Sequence, residues 1–198
     1  MGEAIDPRYR ALVLSAGITG LRQGELFALR RRDLDLARGW IHVRRKRIRL
    51  ASGEVIEDEP KTEAGIRRVA VGQHLVDELR RHVRAYTVKG LEAYVFTTGT
   101  CLPPDRTNFR QRVWESATAK VGLSGLRFHA MRHTAGTLAA QTGASTKELM
   151  ARLGHASPRA SLIYQHAAAE RERRIADQLD ELTDALAPVV PNRQAEAD

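Results

Sequence analysis

Tyr164 stands nine residues after His155, and Gly154-His155 itself follows a His129-Ala130-Met131-Arg132-His133 cluster. A phenol behind such a row of cationic and hydrogen-bonding side chains suits phosphoryl transfer in which side chains, not a metal ion, supply the positive charge. With an ordinary pKa of about 10, roughly one phenol in a thousand is ionised at neutral pH, so a nucleophilic tyrosine needs cationic neighbours or a base. The competing reading of Tyr164 is an amphipathic residue with its ring on a core, which is the reading given to Tyr9, Tyr86 and Tyr94.

The elements that must position these groups follow from periodicity. A helix is expected from Pro7 to about Ala16, burying Leu12, Val13 and Ala16, with Gly17 near its end. A Gly-bearing turn from Thr19 presents Arg22 and opens a second helix through Leu29. Trp40 to Val43 reads as a strand, followed by the basic run Arg44, Arg45, Lys46, Arg47 and Arg49, a hairpin turn at Ser52-Gly53, and an alternating strand from Ile66 to Val71. Lys61 precedes that strand, where a hairpin tip can reach outward. Helices are expected at 73–89, 105–121 (Phe109, Val113 and Trp114 inward), 127–141, 146–153 and from Pro158 to about His166, with Tyr94 to Phe96 a short buried segment. The fold class is α+β, predominantly helical, with a small three-stranded antiparallel sheet.

The chain has 198 residues, 42% of them hydrophobic, which is enough for one sizeable core. A single cysteine, Cys101, excludes an intrachain disulfide framework, and no apolar run has the length of a membrane span. The expectation is a reduced, cytoplasmic protein with no membrane partner. The formal charge of +8 understates the bias, because residues 1–174 carry 31 basic against 18 acidic side chains. Such a body attracts polyanions, and its predominance of arginine suits forked contacts to phosphate. The alternative is a generic arginine-rich surface.

Thr19-Gly20-Leu21-Arg22-Gln23-Gly24-Glu25-Leu26, Lys61-Thr62 ahead of Arg67-Arg68-Val69, His129-x-x-Arg132-His133-Thr134, Leu153-Gly154-His155 and Tyr164 occur in the order and approximate spacing of the tyrosine recombinases, the phage-integrase family. The chain resembles that family's catalytic domain over about residues 7–170. It departs at Ala130-Met131, where the family often has Asp-Leu.

The resemblance implies strand cleavage and rejoining in double-stranded DNA. Negative charge builds on two non-bridging oxygens in the transition state, which Arg22 and Arg132 would clamp with fixed forks. His129, three residues before Arg132, would face the same phosphate, and His155 would donate a further hydrogen bond to it. Lys61 matches the family's general acid for the departing 5′ oxygen, with Lys46 as runner-up. Tyr164 would attack phosphorus, leaving a 3′ phosphotyrosyl link and a free 5′ hydroxyl, so rejoining needs neither ATP nor metal and no cofactor is expected. Glu25 would orient a cationic neighbour or the backbone of its motif. His133 is read as an ordinary, partly buried histidine, and the run at 44–49 as contacts to the DNA backbone.

Domain expectations complete this reading. Residues 1–174 form the catalytic domain, 175–187 an amphipathic helix carrying Ile175, Leu179, Leu182 and Leu186 that serves as an inter-protomer segment or folds back on its own domain, and 188–198 a polar, disordered tail. The family's N-terminal core-binding domain is expected to be absent. The resemblance further implies a homotetramer on DNA, a monomer or weak oligomer when free, and accessory DNA-bending proteins. The rivals are a type IB topoisomerase, which shares the catalytic set, and a catalytically idle DNA-binding module.

Overall fold

In the computed structural model the described residues are 4–58, 66–155, 157–158, 175–177 and 179–180. Helix α1 (Pro7–Thr19) begins where the Asp6 carboxylate accepts the Arg8 amide at 2.8 Å, with Pro7 in the first turn. It ends at Gly20, whose φ of 69° is the left-handed cap conformation. The helix outruns its expected end at Ala16 because Gly17 lies inside it, where a Cβ would come within 2.8 Å of Met131 Cε. Helix α2 (Gln23–Ala28) is short and almost wholly buried.

A 3₁₀ turn (Arg31–Asp33) leads into β1 (Leu34–Asp35), which pairs with β2 (Trp40–Val43); β2 in turn pairs with β5 (Arg67–Ala70). All three strands are antiparallel, and alternation puts Ile41, Val43 and Val69 on the core face. The third strand is thus the two-residue β1, which the sequence does not announce. Strands β3 (Lys46–Arg49) and β4 (Val55–Asp58) form a separate hairpin whose register sets Lys46 opposite Asp58 and Arg47 opposite Glu57.

Helix α3 (Gln73–Tyr86) packs Leu75, Val76 and Leu79 inward and stops three residues before the expected end. The expected helix over 105–121 is three segments: α4 (Arg106–Phe109), a π turn (Arg110–Trp114) and α5 (Glu115–Lys120). Asp105 caps its start, accepting the Thr107 and Asn108 amides at 3.0 Å each. Helix α6 (Ala130–Gln141) begins three residues later than expected, and α7 (Thr146–Leu153) opens with a reciprocal Ser145–Glu148 capping box.

An aromatic chain joins these pieces. Tyr9, Phe27 and Phe128 each meet Phe109 edge-on at 5.3–5.6 Å, and Trp114 meets Phe128 at 5.0 Å. The chain divides into two units, Met1–Gln165 and His166–Asp198, and in the second the described residues 175–177 and 179–180 are helical. No described helix is long and apolar enough to cross a membrane. The expected helix from Pro158 to His166 lies outside the described residues beyond position 158.

Candidate active site

The last carbonyls of a helix have no partner within it. At the end of α7, three successive carbonyls are taken by three arginines from remote parts of the chain. Arg67 Nε donates to the Arg152 carbonyl at 3.0 Å, Arg132 Nη2 to Leu153 at 2.7 Å, and Arg22 Nη2 to Gly154 at 2.9 Å. Guanidiniums also complement the negative end of the helix dipole. Arg132, 3% exposed, donates a second bond from Nη1 to the Gly20 carbonyl at 2.5 Å, which ties α6 to the end of α1. Arg152 itself reaches the carbonyls of Ile18 (3.0 Å) and Ala70 (3.2 Å), so α7 is held against both α1 and β5.

Glu25, 4% exposed, links two of these arginines. Arg67 approaches it as a fork, with Nη1 to Oε1 at 3.1 Å and Nη2 to Oε2 at 3.0 Å, while Arg22 donates its amide at 2.7 Å and Nη1 at 3.1 Å. Burial alone would raise the Glu25 pKa, but the hydrogen bonds and charges of Arg67 and Arg22 outweigh it and hold the carboxyl below its ordinary value. Arg22 is 44% exposed, so its charge faces outward from this buried support.

Gly154 caps α7 at φ 67° and passes directly to His155, whose amide bonds the Met150 carbonyl at 3.0 Å. The His155 pKa is lowered to about 4, first by burial and then by the charges of Arg132, Arg22 and Arg67. His129, preceding α6, is exposed with its ring edge-on to His133 at 5.2 Å, and its pKa is lowered by partial desolvation, then by His133, Arg132, Arg22 and Arg106. Both imidazoles are therefore neutral at pH 7 and sit where positive charge is concentrated. His133, expected to be partly buried, is exposed instead, because the first turn of α6 turns that position outward.

Arg22 and His129 also line an open cleft of about 890 Å³. Phe27, Trp114 and Phe128 contribute to its wall, and Arg47, Arg49, Arg106, Arg110 and Arg127 add positive charge. In the run at 44–49 each cation meets a carboxylate. Arg44 and Arg45 pair with Asp33, Lys46 with Asp58, Arg47 with Glu57, and Arg49 with Asp105. Tyr94 donates to Glu57, and Tyr9 packs in the core.

Of the six residues singled out from sequence, Arg22, Arg132 and His155 gather at the end of α7, and His129 stands beside them within electrostatic reach. Lys61 and Tyr164 lie outside the described residues. Sequence reasoning gave Arg67 no role, although an arginine two residues from Val69 on one strand shares its inward face, and that parity was the available signal.

The sequence pattern of the Phage integrase family matches residues 2–171. The chain is 37% identical over 185 residues to a protein described as putative prophage phiRv2 integrase of Mycobacterium tuberculosis, covering 92% of this chain and 48% of that protein. It is also 37% identical over 185 residues to the integrase of Mycobacterium phage D29, covering 91% of this chain and 49% of that protein. The chain thus spans about half the length of the curated relatives it matches. Among solved structures, the Tn1549 transposon integrase in complex with transposon right end DNA superposes with a TM-score of 0.69 at 24% identity, covering 83% of this chain and 58% of that one. The XerA recombinase superposes with a TM-score of 0.64 at 25% identity, covering 87% and 56%.

Proposed function

The chain belongs to the phage integrase family of tyrosine recombinases, and on that premise we propose that it carries the catalytic domain of a site-specific DNA recombinase working through a 3′-phosphotyrosyl intermediate. The observation that carries this reading is the gathering of Arg22, Arg132 and His155 on the carbonyl end of α7. Two guanidiniums held by backbone acceptors are preorganised, so they need no reorientation as charge develops on a phosphate between them. Each Nη nitrogen of Arg22 carries two hydrogens, so its bonds to Glu25 and Gly154 leave donors for a phosphate oxygen.

In the proposed reaction the Tyr164 phenol gives up its proton to water as its oxygen bonds to phosphorus, the bond to the 5′ oxygen breaks, and Lys61 protonates that leaving oxygen. His129 and His155 donate hydrogen bonds to the phosphate. A free 5′ hydroxyl from another strand then attacks the phosphotyrosine, releasing Tyr164 and rejoining the DNA. The bond energy stays in the ester, so neither ATP nor metal is required, and activity should survive EDTA. Double-stranded DNA is the proposed substrate, with a homotetramer assembled on it and residues 175–187 passing between protomers.

The test is a pool of duplexes nicked beside a randomised sequence, so that cleavage releases a short fragment and traps the protein. Wild-type protein should give a denaturation-resistant adduct in EDTA, and Tyr164→Phe should give none. Binding without any adduct, or an adduct from Tyr164→Phe, would overturn the assignment. Sequencing the trapped DNA identifies the preferred site, whereas equal trapping on all sequences with plasmid relaxation points to the topoisomerase reading.

A further inference from the structure

Arg67 is the more enclosed of the two arginines that meet Glu25, and it does not line the cleft. Its side chain is 7% exposed. A guanidinium cannot shed its proton, so burying one requires a countercharge and a set of acceptors. Three donors are accounted for by Glu25 Oε1, Glu25 Oε2 and the Arg152 carbonyl, at 3.0–3.1 Å. The guanidinium also lies flat against Gly154, where a Cβ would come within 2.8 Å of Nη1 and 2.9 Å of Cζ. Only a residue without a side chain admits this approach.

One planar group therefore fixes two objects. Through Glu25 it sets the direction of Arg22, because the carboxylate that accepts the fork also accepts the Arg22 amide and Nη1. Through the Arg152 carbonyl and the face of Gly154 it fixes the turn that carries His155. We infer that Arg67 is a positioning residue of the cleavage reaction, setting the spacing between Arg22 and His155 without touching DNA. This rests on the strand-cleavage reading, since only that reading gives the spacing a catalytic consequence.

Lysine at this position keeps the charge but has neither the fork nor the Nε–H donor. Arg67→Lys should therefore slow single-turnover cleavage by about 100-fold, the scale of an ångström-sized misplacement of reacting groups. DNA affinity should be unchanged, since the altered side chain is not part of the cleft. In the DNA-free protein, the arginine Nε–H signal of Arg22 and the ring signals of His155 should move in nuclear magnetic resonance spectra, while signals of the distant α3 stay in place. Unmoved Arg22 and His155 signals overturn the inference, as does cleavage at the wild-type rate. Parallel loss of melting temperature, DNA binding and cleavage also overturns it, because that pattern marks a merely structural role. Should Arg67→Lys fail to fold, Glu25→Gln breaks the same fork from its other end, and the same readings decide. The spectra do not depend on activity, so a wild-type protein that never cleaves sinks the functional reading while the displaced signals still uphold the positioning role.

Discussion

At the residue scale, the site holds neutral histidines among guanidiniums, and this has a definite pH signature. His155 has a pKa near 4 in the DNA-free protein, below the ordinary value of about 6.5 for histidine. A phosphate placed beside it favours the imidazolium, so the bound-state pKa lies higher and binding takes up a proton. DNA affinity should therefore rise as pH falls from about 7 toward 5, and calorimetry in buffers of different ionisation enthalpy should detect the uptake. His155→Asn should remove most of it; an unchanged uptake in that variant contradicts the assignment. Folding stability runs the other way. Below about pH 6.5 the unfolded chain binds a proton at His155 that the folded, DNA-free protein resists, so this residue's contribution is lost as pH falls toward 4. The types needed at this scale were legible, because phosphate chemistry calls for arginine and histidine and five short motifs stood in order. The partners were not. Arg67 lies 42 residues from Glu25 and 85 from Arg152, distances over which no local pattern speaks.

At the element scale, the site depends on turns that only glycine can make. Gly20 stands at φ 69°, and a Cβ there would collide with Leu153 Cδ2 and lie 3.2 Å from Ala135 Cβ. Gly53 has a φ of 88° but nothing within 4 Å of the added carbon. Gly53→Ala should therefore cost about 1–2 kcal/mol from handedness alone. Gly20→Ala should cost about 1–3 kcal/mol more, from forcing α1, α6 and α7 apart. Chemical denaturation of the two variants measures the difference, and equal losses would mean that α7 yields without resistance. Helix starts were legible from Asp6-Pro7 and Ser145 to Glu148, where cap chemistry is local. The break of 105–121 into a π turn was not, because the apolar spacing of Phe109, Val113 and Trp114 fits one continuous helix equally well. The turn of the β3–β4 hairpin was legible at Ser52-Gly53, but its return strand was not, since Val55–Asp58 is matched to β3 mainly by cross-strand charge.

At the scale of the whole molecule, positive charge and available positive charge are different quantities. The run at 44–49 signals nucleic-acid binding in sequence, yet Asp33, Glu57, Asp58 and Asp105 engage all five of its cations. The salt dependence of DNA binding should accordingly be shallower than a count of arginines suggests. Asp105→Asn tests this, because asparagine can still accept the amides of Thr107 and Asn108 while freeing Arg49 at the cleft. DNA should bind more tightly at low salt, and the slope of log affinity against log salt should steepen by about one phosphate contact. Weaker binding would show that the Arg49–Asp105 pair organises the cleft.

The three arginines at the end of α7 meet main-chain oxygens, and every residue type except an altered backbone supplies the same oxygen. Exchanging one letter for another within 146–153 leaves those acceptors where they are, as long as the helix persists. Removing a single residue would turn the end of α7 by about 100° and draw it back about 1.5 Å, taking all three acceptors out of register together. The helix therefore acts as a gauge of chain length, and the lineage of this site should record many substitutions in that stretch and almost no insertions or deletions.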